Sequence, residues 1–386
     1  MKSKLSITKT PYFSYKIGSL PKGCQYCVKG EKLVLFVTGL CPRNCVYCPI
    51  SDKKHQHDVT YANEWPTSEI KEIIREAEFC GAKGAGFTGG DPLVKINRTV
   101  TYIKALKKHF GKAFHIHLYT SFDLATEERL SLLYHAGLDE IRFHADIEDN
   151  NLWNRIELAR KFKWDVGVEI PVIPGLKKEK EKLLIFLDGK IKFLNLNELE
   201  VSDAEANKLS KLGYRTKDSL SYGVKGSESM ALELLRFVKK NKLSYSVHYC
   251  TAKLKDRVQL SERIKRRAKG MKKDYDVMDK EGMLTRGAIY MPYLFPSVGY
   301  EDKLQTLLPK QRKMIVGKLQ TFRKHLMREF DIPGELIVID ERKLRLLTTM
   351  TVVYELVNYI KDSNLKPAIV KEYPTWDQLI VELEWV

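Results

Sequence analysis

The chain has 386 residues, of which 44% are hydrophobic and 30% are charged, and this balance excludes a disordered protein and a small disulfide-stapled fold. Its 66 lysines and arginines outnumber 49 aspartates and glutamates, and the net charge of +17 indicates an anionic partner or the charged surface of a thermophile protein. The apolar runs are far shorter than the roughly 18 residues of a membrane span and the N-terminus lacks a signal-peptide pattern, so we expect a cytoplasmic protein without membrane contact.

The first predicted region, residues 1–32, is an extension that contains a Cys-x-x-Cys pair, Cys24 and Cys27. The chain has seven cysteines in total, an odd number without a secretion signal. This usage argues against disulfides and favours metal binding.

Residues 33–250 alternate short apolar runs with longer amphipathic stretches, and this rhythm predicts parallel strands joined by helices. The predicted strands are Leu33 to Thr38, Gly84 to Thr88, His115 to Tyr119, Glu140 to Phe143, Asp165 to Val172 and Lys192 to Leu196, with a seventh at Ser244 to Tyr249. Right-handed crossovers place the helices outside the sheet. The sequence therefore predicts an α/β fold, a partial (βα)6 TIM-like barrel extended by one further strand.

Residues 251–386 lose this rhythm, and their mixed pattern predicts a basic α+β appendage that binds substrate. The appendage begins with a basic stretch whose candidate phosphate contacts are Arg263, Lys265, Arg266 and Arg267. Such a stretch is typical of a nucleic-acid-binding surface, and a solvated basic helix is the alternative.

Cys41, Cys45 and Cys48 form a Cys-x3-Cys-x2-Cys pattern directly after the first predicted strand. Loops at the carboxyl ends of barrel strands carry the chemistry of these folds. Thiolates hold iron–sulfur clusters, and three cysteines leave one iron of a [4Fe–4S] cluster free for another ligand. A zinc loop completed by a distant fourth ligand is the alternative, and it fits this asymmetric spacing less well.

Residues 41–48, Cys-Pro-Arg-Asn-Cys-Val-Tyr-Cys, resemble the signature of the radical S-adenosylmethionine (SAM) superfamily. The resemblance extends from residue 33 to about residue 200 and is to an archaeal group related to pyruvate formate-lyase activating enzyme. It implies that the open iron binds SAM and that an electron from a donor such as ferredoxin cleaves SAM to a 5′-deoxyadenosyl radical. It also implies that Tyr47 lies against the adenine.

The second predicted strand ends in Thr-Gly-Gly-Asp-Pro, which is similar to the glycine-rich motif that holds the SAM amino group in this family. The implied cofactor-binding residues here are Gly89, Gly90 and Asp91, with Asp91 in place of the usual Glu. By the same resemblance Ser121, Arg142 and Glu169, at later strand ends, contact SAM. A structural salt bridge between Arg142 and Glu169 is the alternative for that pair.

Further polar groups lie at the same strand ends, and spacing does not choose among them. They are Thr120, His144, Asn195 and Asn197.

A second metal site is predicted from Cys24 and Cys27 together with His248 and Cys250, which project from one face of the seventh strand. Three thiols and an imidazole suit an auxiliary iron–sulfur cluster or a mononuclear zinc or iron site. A Cys-x-x-Cys pair alone and buried inert thiols are the alternatives. About 20 Å separates Cys27 from the carboxyl end of that strand if the sheet is regular, which weighs against sharing.

The predicted activity is hydrogen abstraction by a radical SAM enzyme, and the basic composition favours modification of RNA, most of all tRNA. A protein-directed radical enzyme of the glycyl-radical activase type is the main alternative. A radical methyltransferase, an enzyme of small-molecule metabolism and a non-enzymatic nucleic-acid-binding module are further alternatives.

Overall fold

The computed structural model describes residues 6–386 and divides the chain into two compact units. One unit ends at Arg263, and the other runs from Ile264 to Val386. The division thus falls later than residue 250, where the α/β rhythm of the sequence ends.

Seven parallel strands form the centre of the first unit and follow one another across the sheet in chain order. They are β1 (Lys32–Phe36), β2 (Gly84–Thr88), β3 (His115–Ser121), β4 (Glu140–His144), β5 (Asp165–Val172), β6 (Phe193–Glu198) and β7 (Ser246–Cys250). Successive right-handed βα units produce this sequential parallel order. The structure therefore confirms a partial TIM-like barrel core, with the expected seventh strand.

Both edges of this sheet carry short antiparallel strands. Tyr15–Ile17 pairs with β7 and with Thr8–Lys9, while Tyr61–Ala62 pairs with β1 and with Trp65–Pro66. Within the described chain β1 and β7 do not pair with each other, so the barrel stays open.

Helices cover the outer face of the sheet. Beneath these helices lie fully buried side chains that project outward from the strands, among them Leu35, Leu118 and Ile141. The helices of this unit are Lys22–Cys27, Ile70–Phe79, Ile96–Phe110, Glu127–Ala136, Ile156–Arg160, Lys177–Phe186, Ser227–Asn241 and Ala252–Leu254, with 3-10 turns at Pro92–Lys95 and Trp153–Arg155 and a π-helix at Lys255–Leu260. Because strand side chains alternate, the residues between the apolar ones face the inside of the barrel, where many of them are polar.

The short helix Lys22–Cys27 lies against the inner face of the barrel. A Cβ at Gly23 would stand 2.5 Å from His117 Nδ1 and 2.7 Å from Arg142 Nη2, so only glycine fits there. This close approach places the Cys-x-x-Cys pair inside the barrel.

The second unit is an α+β domain built on an antiparallel sheet. Its strands are Val277–Met278, Leu284–Tyr290, Ile337–Asp340, Arg345–Thr348, Lys366–Glu372 and Ile380–Trp385. Its helices are Tyr300–Thr306, Pro309–Glu329, Met350–Glu355 and Val357–Asp362, with a 3-10 turn at Gly334–Leu336, and the helix Ser261–Met271 crosses the division between the units. In residues 6–386 no helix is both long and apolar enough to cross a membrane.

Candidate active site

A cavity of about 500 Å³ opens inside the first unit and joins the carboxyl ends of the strands to the barrel interior. All three cysteines of the Cys-x3-Cys-x2-Cys pattern line it, together with six of the seven predicted cofactor-binding residues. Those predicted residues are Cys41, Cys45, Tyr47, Cys48, Gly89, Gly90, Asp91, Ser121 and Glu169.

The cysteine loop is held in place by hydrogen bonds of its own backbone. Gln56 clamps Cys41: its Nε2 donates to the Cys41 carbonyl at 3.0 Å, and the Cys41 amide donates back to Oε1 at 3.4 Å. The Cys48 amide donates to the Cys45 carbonyl at 3.0 Å. Burial raises the pKa of the Cys41 thiol to about 11, so the positive charge of bound iron is what would deprotonate it.

Among the described residues, the three thiols of the cysteine loop are not grouped as the ligands of a single metal ion. Across residues 6–386 no three His, Cys, Asp or Glu side chains converge closely enough to hold one metal ion, and this includes Cys41, Cys45 and Cys48. In a [4Fe–4S] cluster each thiolate binds a different iron, so the ligands stand further apart.

The glycine-rich motif at the end of β2 packs directly on the cysteine loop. The Gly90 amide donates to the Thr38 carbonyl at 2.8 Å, and the Asp91 amide donates to the Leu40 carbonyl at 2.9 Å. A Cβ at Gly90 would lie 2.3 Å from that Leu40 oxygen. Glycine is needed here because the two backbones touch.

Asp91 is 1% exposed, and its carboxylate is occupied by donors from the protein. It accepts hydrogen bonds from the Leu93 amide, the Thr120 hydroxyl and both the amide and hydroxyl of Ser121, at 2.8 to 3.0 Å. Burial raises the pKa of Asp91 although these donors act against the rise. Asp91 therefore ties the ends of β2 and β3 together, and its contact with the SAM amino group stays a prediction.

Glu169 presents a carboxylate to the cavity. Arg142 Nη1 donates to it at 2.9 Å, and the Asn195 and Asn197 amides donate at 2.8 and 2.9 Å. Burial acts to raise the pKa of Glu169, but the Arg142 charge and the two amides outweigh it and lower the pKa.

Arg142 is 1% exposed and lies behind Glu169 without lining the cavity. It binds Glu140 and Glu169, so the structure shows the salt bridge that was the alternative for this pair. The predicted direct contact of Arg142 with SAM is therefore not supported, because the guanidinium is enclosed by the protein.

Tyr47 and His144 form a hydrogen-bonded pair at the cavity wall. His144 Nδ1 lies 3.1 Å from the Glu169 carbonyl, and Nε2 lies 2.9 Å from the Tyr47 hydroxyl. Burial and the nearby Arg43 lower the pKa of His144 to about 4, so the ring is neutral. Since only Nδ1–H can donate to a carbonyl, Nε2 accepts from Tyr47 and fixes the orientation of its ring.

The four residues of the predicted second metal site are all buried. Asn195 Nδ2 donates to Cys24 Sγ at 3.4 Å, and the neighbour of Asn195 in register on β7 is His248. Burial raises the pKa of the Cys250 thiol, and the helix Lys22–Cys27, which lies within the barrel, brings Cys24 and Cys27 close enough to add to this rise. A mononuclear zinc or iron site is not supported, since no three ligands converge among the described residues, and an auxiliary cluster stays a prediction.

The four candidate phosphate contacts of the basic stretch are not free, exposed cations. Arg263 forms an ion pair with Glu64, and Arg267 is 3% exposed. Lys265, Arg266 and Arg267 each have a partner within the protein. The predicted phosphate contacts are therefore not supported by exposed, uncommitted side chains.

Comparison with known proteins identifies the chain. Over 285 residues it is 46% identical to a Methanocaldococcus jannaschii protein named "putative glycyl-radical enzyme activating enzyme", covering 72% of this chain and 75% of the relative. A model of the radical SAM superfamily matches residues 35–187, which contain the cysteine loop and the glycine-rich motif. The chain belongs to the radical SAM superfamily. Membership of this superfamily implies a [4Fe–4S] cluster and SAM as cofactors.

Solved radical SAM structures show more distant likeness. One is the radical SAM methyltransferase TsrM of Kitasatospora setae, bound to tryptophan and a SAM analogue, which is 12% identical to this chain. The match covers 66% of this chain and 55% of the TsrM chain, with a TM-score of 0.37. Another is methylornithine synthase, which is 14% identical to this chain. The match covers 57% of this chain and 71% of the synthase chain, with a TM-score of 0.38.

Sequence reasoning missed several residues of this radical SAM site. Gln56 clamps Cys41 from within the same loop, and Lys255 lines the cavity in an ion pair with Glu200. Lys32 also lines the cavity. No motif marks these positions, although Lys255 closely follows β7 and could have been found as a strand-end residue.

Proposed function

We propose that this radical SAM enzyme activates a partner protein by abstracting a hydrogen atom from the α-carbon of one of its glycine residues. The observation that carries the proposal is the 46% identity, over 72% of the chain, to a relative named as a glycyl-radical enzyme activating enzyme. The glycyl-radical alternative is thereby favoured over RNA modification.

The chemistry comes from the cofactors and the placement from the chain. With the cluster and SAM bound, one electron from a donor such as ferredoxin cleaves SAM to methionine and a radical that takes hydrogen from the glycine, giving 5′-deoxyadenosine and a glycyl radical. Cys41, Cys45 and Cys48 would hold the cluster, and the Tyr47 ring and the Glu169 carboxylate, which line the cavity, would contact the adenosine part of SAM.

The positive charge of the chain also suits a protein partner. A net charge of +17 attracts an acidic protein as it attracts RNA, because long-range steering depends on charge and not on polymer type. The pairing of the four candidate phosphate contacts weakens the specific support for RNA.

The proposal is tested by the origin of the abstracted hydrogen. Reconstituted enzyme, SAM and dithionite are mixed with extract of cells grown on α-deuterated glycine, either treated with ribonuclease or digested with protease. We expect deuterium in 5′-deoxyadenosine and a glycyl-radical EPR signal only when protein is intact. The signal should be a doublet in an unlabelled control extract and should collapse in the labelled one, because the remaining α-position then carries deuterium. Deuterium-free product whose formation depends on intact RNA would overturn the proposal.

A further inference from the structure

Lys32, the first residue of β1, lines the cavity and is 9% exposed. Within residues 6–386 its ammonium makes no hydrogen bond and no ion pair, in contrast to most buried charges in proteins. Keeping an ammonium out of bulk water without a counter-charge is costly. The site is therefore incomplete without an anionic group.

The other ionic side chains around the cavity are already paired. Arg43 binds Asp146 at 2.5 Å, Glu169 binds Arg142 at 2.9 Å, and Lys255 binds Glu200 at 2.5 Å. Glu198 pairs with Lys217, and the donors described above cover the Asp91 carboxylate. No neighbouring carboxylate is left over for Lys32 in the described part of the chain.

Lys32 lies too deep to bind the carboxylate of SAM. It stands four residues before Phe36, so about 13 Å of extended strand separates it from the end of β1, where the cysteine loop begins. In register with Lys32 on β2 is Gly84, and Gly86 lines the cavity two residues on. The His115 carbonyl and the His117 ring fill the space beside these glycines, 2.4 and 2.7 Å from where their Cβ atoms would stand.

Lys32 is the one charged side chain lining the cavity that has no partner among the described residues. A single ammonium matches a singly charged carboxylate. A phosphate group usually recruits arginine or several backbone amides.

We propose that Lys32 binds a carboxylate of the molecule that shares the cavity with SAM. The subsite stands on its own geometry. The assignment of this carboxylate to an acidic side chain near the reacting glycine of the partner rests on the proposed function. A free dicarboxylic acid is the other source of the same chemistry.

Binding of defined probes to the full chain tests the subsite. The probes are acetyl-Gly-Ala-Ala-Glu-amide and its Gln counterpart, and glutarate and glutaramide, each measured by calorimetry. We expect the acid of one pair to bind about ten- to a hundredfold more tightly than its amide, the gain of a charge-assisted hydrogen bond. Preference within the peptide pair indicates a partner segment, and preference confined to glutarate indicates a free acid.

Variants assign the preference to one residue. Lys32→Gln should remove it, whereas the matched control Lys29→Gln, at an exposed lysine three positions earlier, should keep it. SAM affinity should be the same in all three proteins. Any of three results overturns the proposal. They are equal or undetectable binding of acids and amides, an unchanged preference in Lys32→Gln, and loss of SAM binding in that variant.

The two proposals fail separately. A carboxylate preference that depends on Lys32, without deuterium transfer from glycine, rejects the activating function and keeps the subsite. Deuterium transfer without any carboxylate preference does the reverse.

Discussion

At the scale of single residues, the site depends on groups whose ionisation is set by their neighbours. Glu169 is kept ionised by Arg142 and two asparagine amides, while burial keeps His144 neutral. A neutral His144 fixes Tyr47 through one hydrogen bond, and an ionised Glu169 offers the cavity an acceptor for hydroxyl groups such as those of a ribose. Each state leads to a measurable consequence.

Replacement of Glu169 by Gln should destabilise the fold at neutral pH by about 2 kcal/mol, because the buried Arg142 loses part of its counter-charge. The folded-state pKa of Glu169 is lowered, so its contribution is present above the ordinary value near 4.3 and is lost as the pH falls through the folded-state pKa. The difference in unfolding free energy between wild type and variant should therefore shrink from about pH 7 to about pH 3.

Chemical denaturation at both pH values measures this difference. The control is Glu157→Gln, at an exposed carboxylate paired with Arg160, which should change stability little at either pH. A difference that stays constant with pH would show that Glu169 is not held ionised by its partners.

Tyr47→Phe should lower the unfolding free energy by about 1 kcal/mol, since His144 Nε2 loses its donor in a buried place. The ring that faces the cavity remains, so SAM cleavage should persist. Tyr134→Phe is the matched control, because the Tyr134 ring is packed in the core and its hydroxyl makes no hydrogen bond among the described residues. Thermal unfolding of the two variants gives the comparison, and equal shifts would contradict a hydrogen bond to His144.

At the scale of elements, the barrel strands were predictable and the second sheet was only partly so. Each strand from β1 to β7 is a short segment rich in β-branched, aromatic or other apolar residues, in which polar residues alternate where the strand faces the barrel interior. In the second unit, Leu284–Tyr290 and Lys366–Glu372 were not predicted. Gly287 interrupts the apolar pattern of Leu284–Tyr290, and the pattern of Lys366–Glu372 is interrupted by Lys366, Pro367 and Lys371. The strand conformation of both segments therefore depends on their neighbours in the sheet.

The contact between β2 and the cysteine loop leads to a prediction for Gly90→Ala. The added methyl would stand 2.3 Å from the Leu40 oxygen, so the loop must shift and cluster binding should fall severalfold. The control is Gly317→Ala, where nothing lies within 4 Å in a helix, and alanine should stabilise that helix by about 0.5 to 1 kcal/mol. Iron per chain after anaerobic reconstitution measures the effect, and full loading of Gly90→Ala would contradict it.

A long segment between β6 and the helix Ser227–Asn241 braces the cysteine loop. The Lys208 amide donates to the Val46 carbonyl at 2.7 Å, and Asn207 pairs with Tyr47 and donates to the Glu200 carbonyl at 3.1 Å. Asn207→Ala should speed hydrogen exchange at the Lys208 amide by about five- to tenfold. Hydrogen-exchange mass spectrometry compares Asn207→Ala with the control Asn154→Ala, at an exposed asparagine. Unchanged protection of the Lys208 amide would mean that this segment does not depend on Asn207 to hold the cysteine loop.

At the scale of the whole molecule, sequence indicated the cofactor chemistry far better than the substrate. Three cysteines in one short loop must lie together in any fold, so their chemistry can be read locally. The roles of Arg263 and Arg267 cannot be read from the local sequence. Only the folded chain shows that Arg263 binds Glu64 and that Arg267 is buried. Net charge alone could not separate an RNA partner from an acidic protein.

The inner face of the barrel shows the same limit. Arg142 and Glu169 lie on neighbouring strands, and the sequence does not tell them apart. The structure shows that Glu169 lines the cavity and that the buried Arg142 lies behind it. The sequence placed Lys32 at the end of the N-terminal extension, whereas in the structure it is the first residue of β1 and lines the cavity.

The central claim is that Cys41, Cys45 and Cys48 hold a [4Fe–4S] cluster that cleaves SAM. Its most direct test is 5′-deoxyadenosine formation, together with iron and zinc content, in anaerobically reconstituted wild type, Cys45→Ala and the control Cys24→Ala. We predict iron-loaded wild type and Cys24→Ala that form 5′-deoxyadenosine, and a Cys45→Ala protein that forms none. Zinc in place of iron in the wild type, or product formed by Cys45→Ala, would contradict the account.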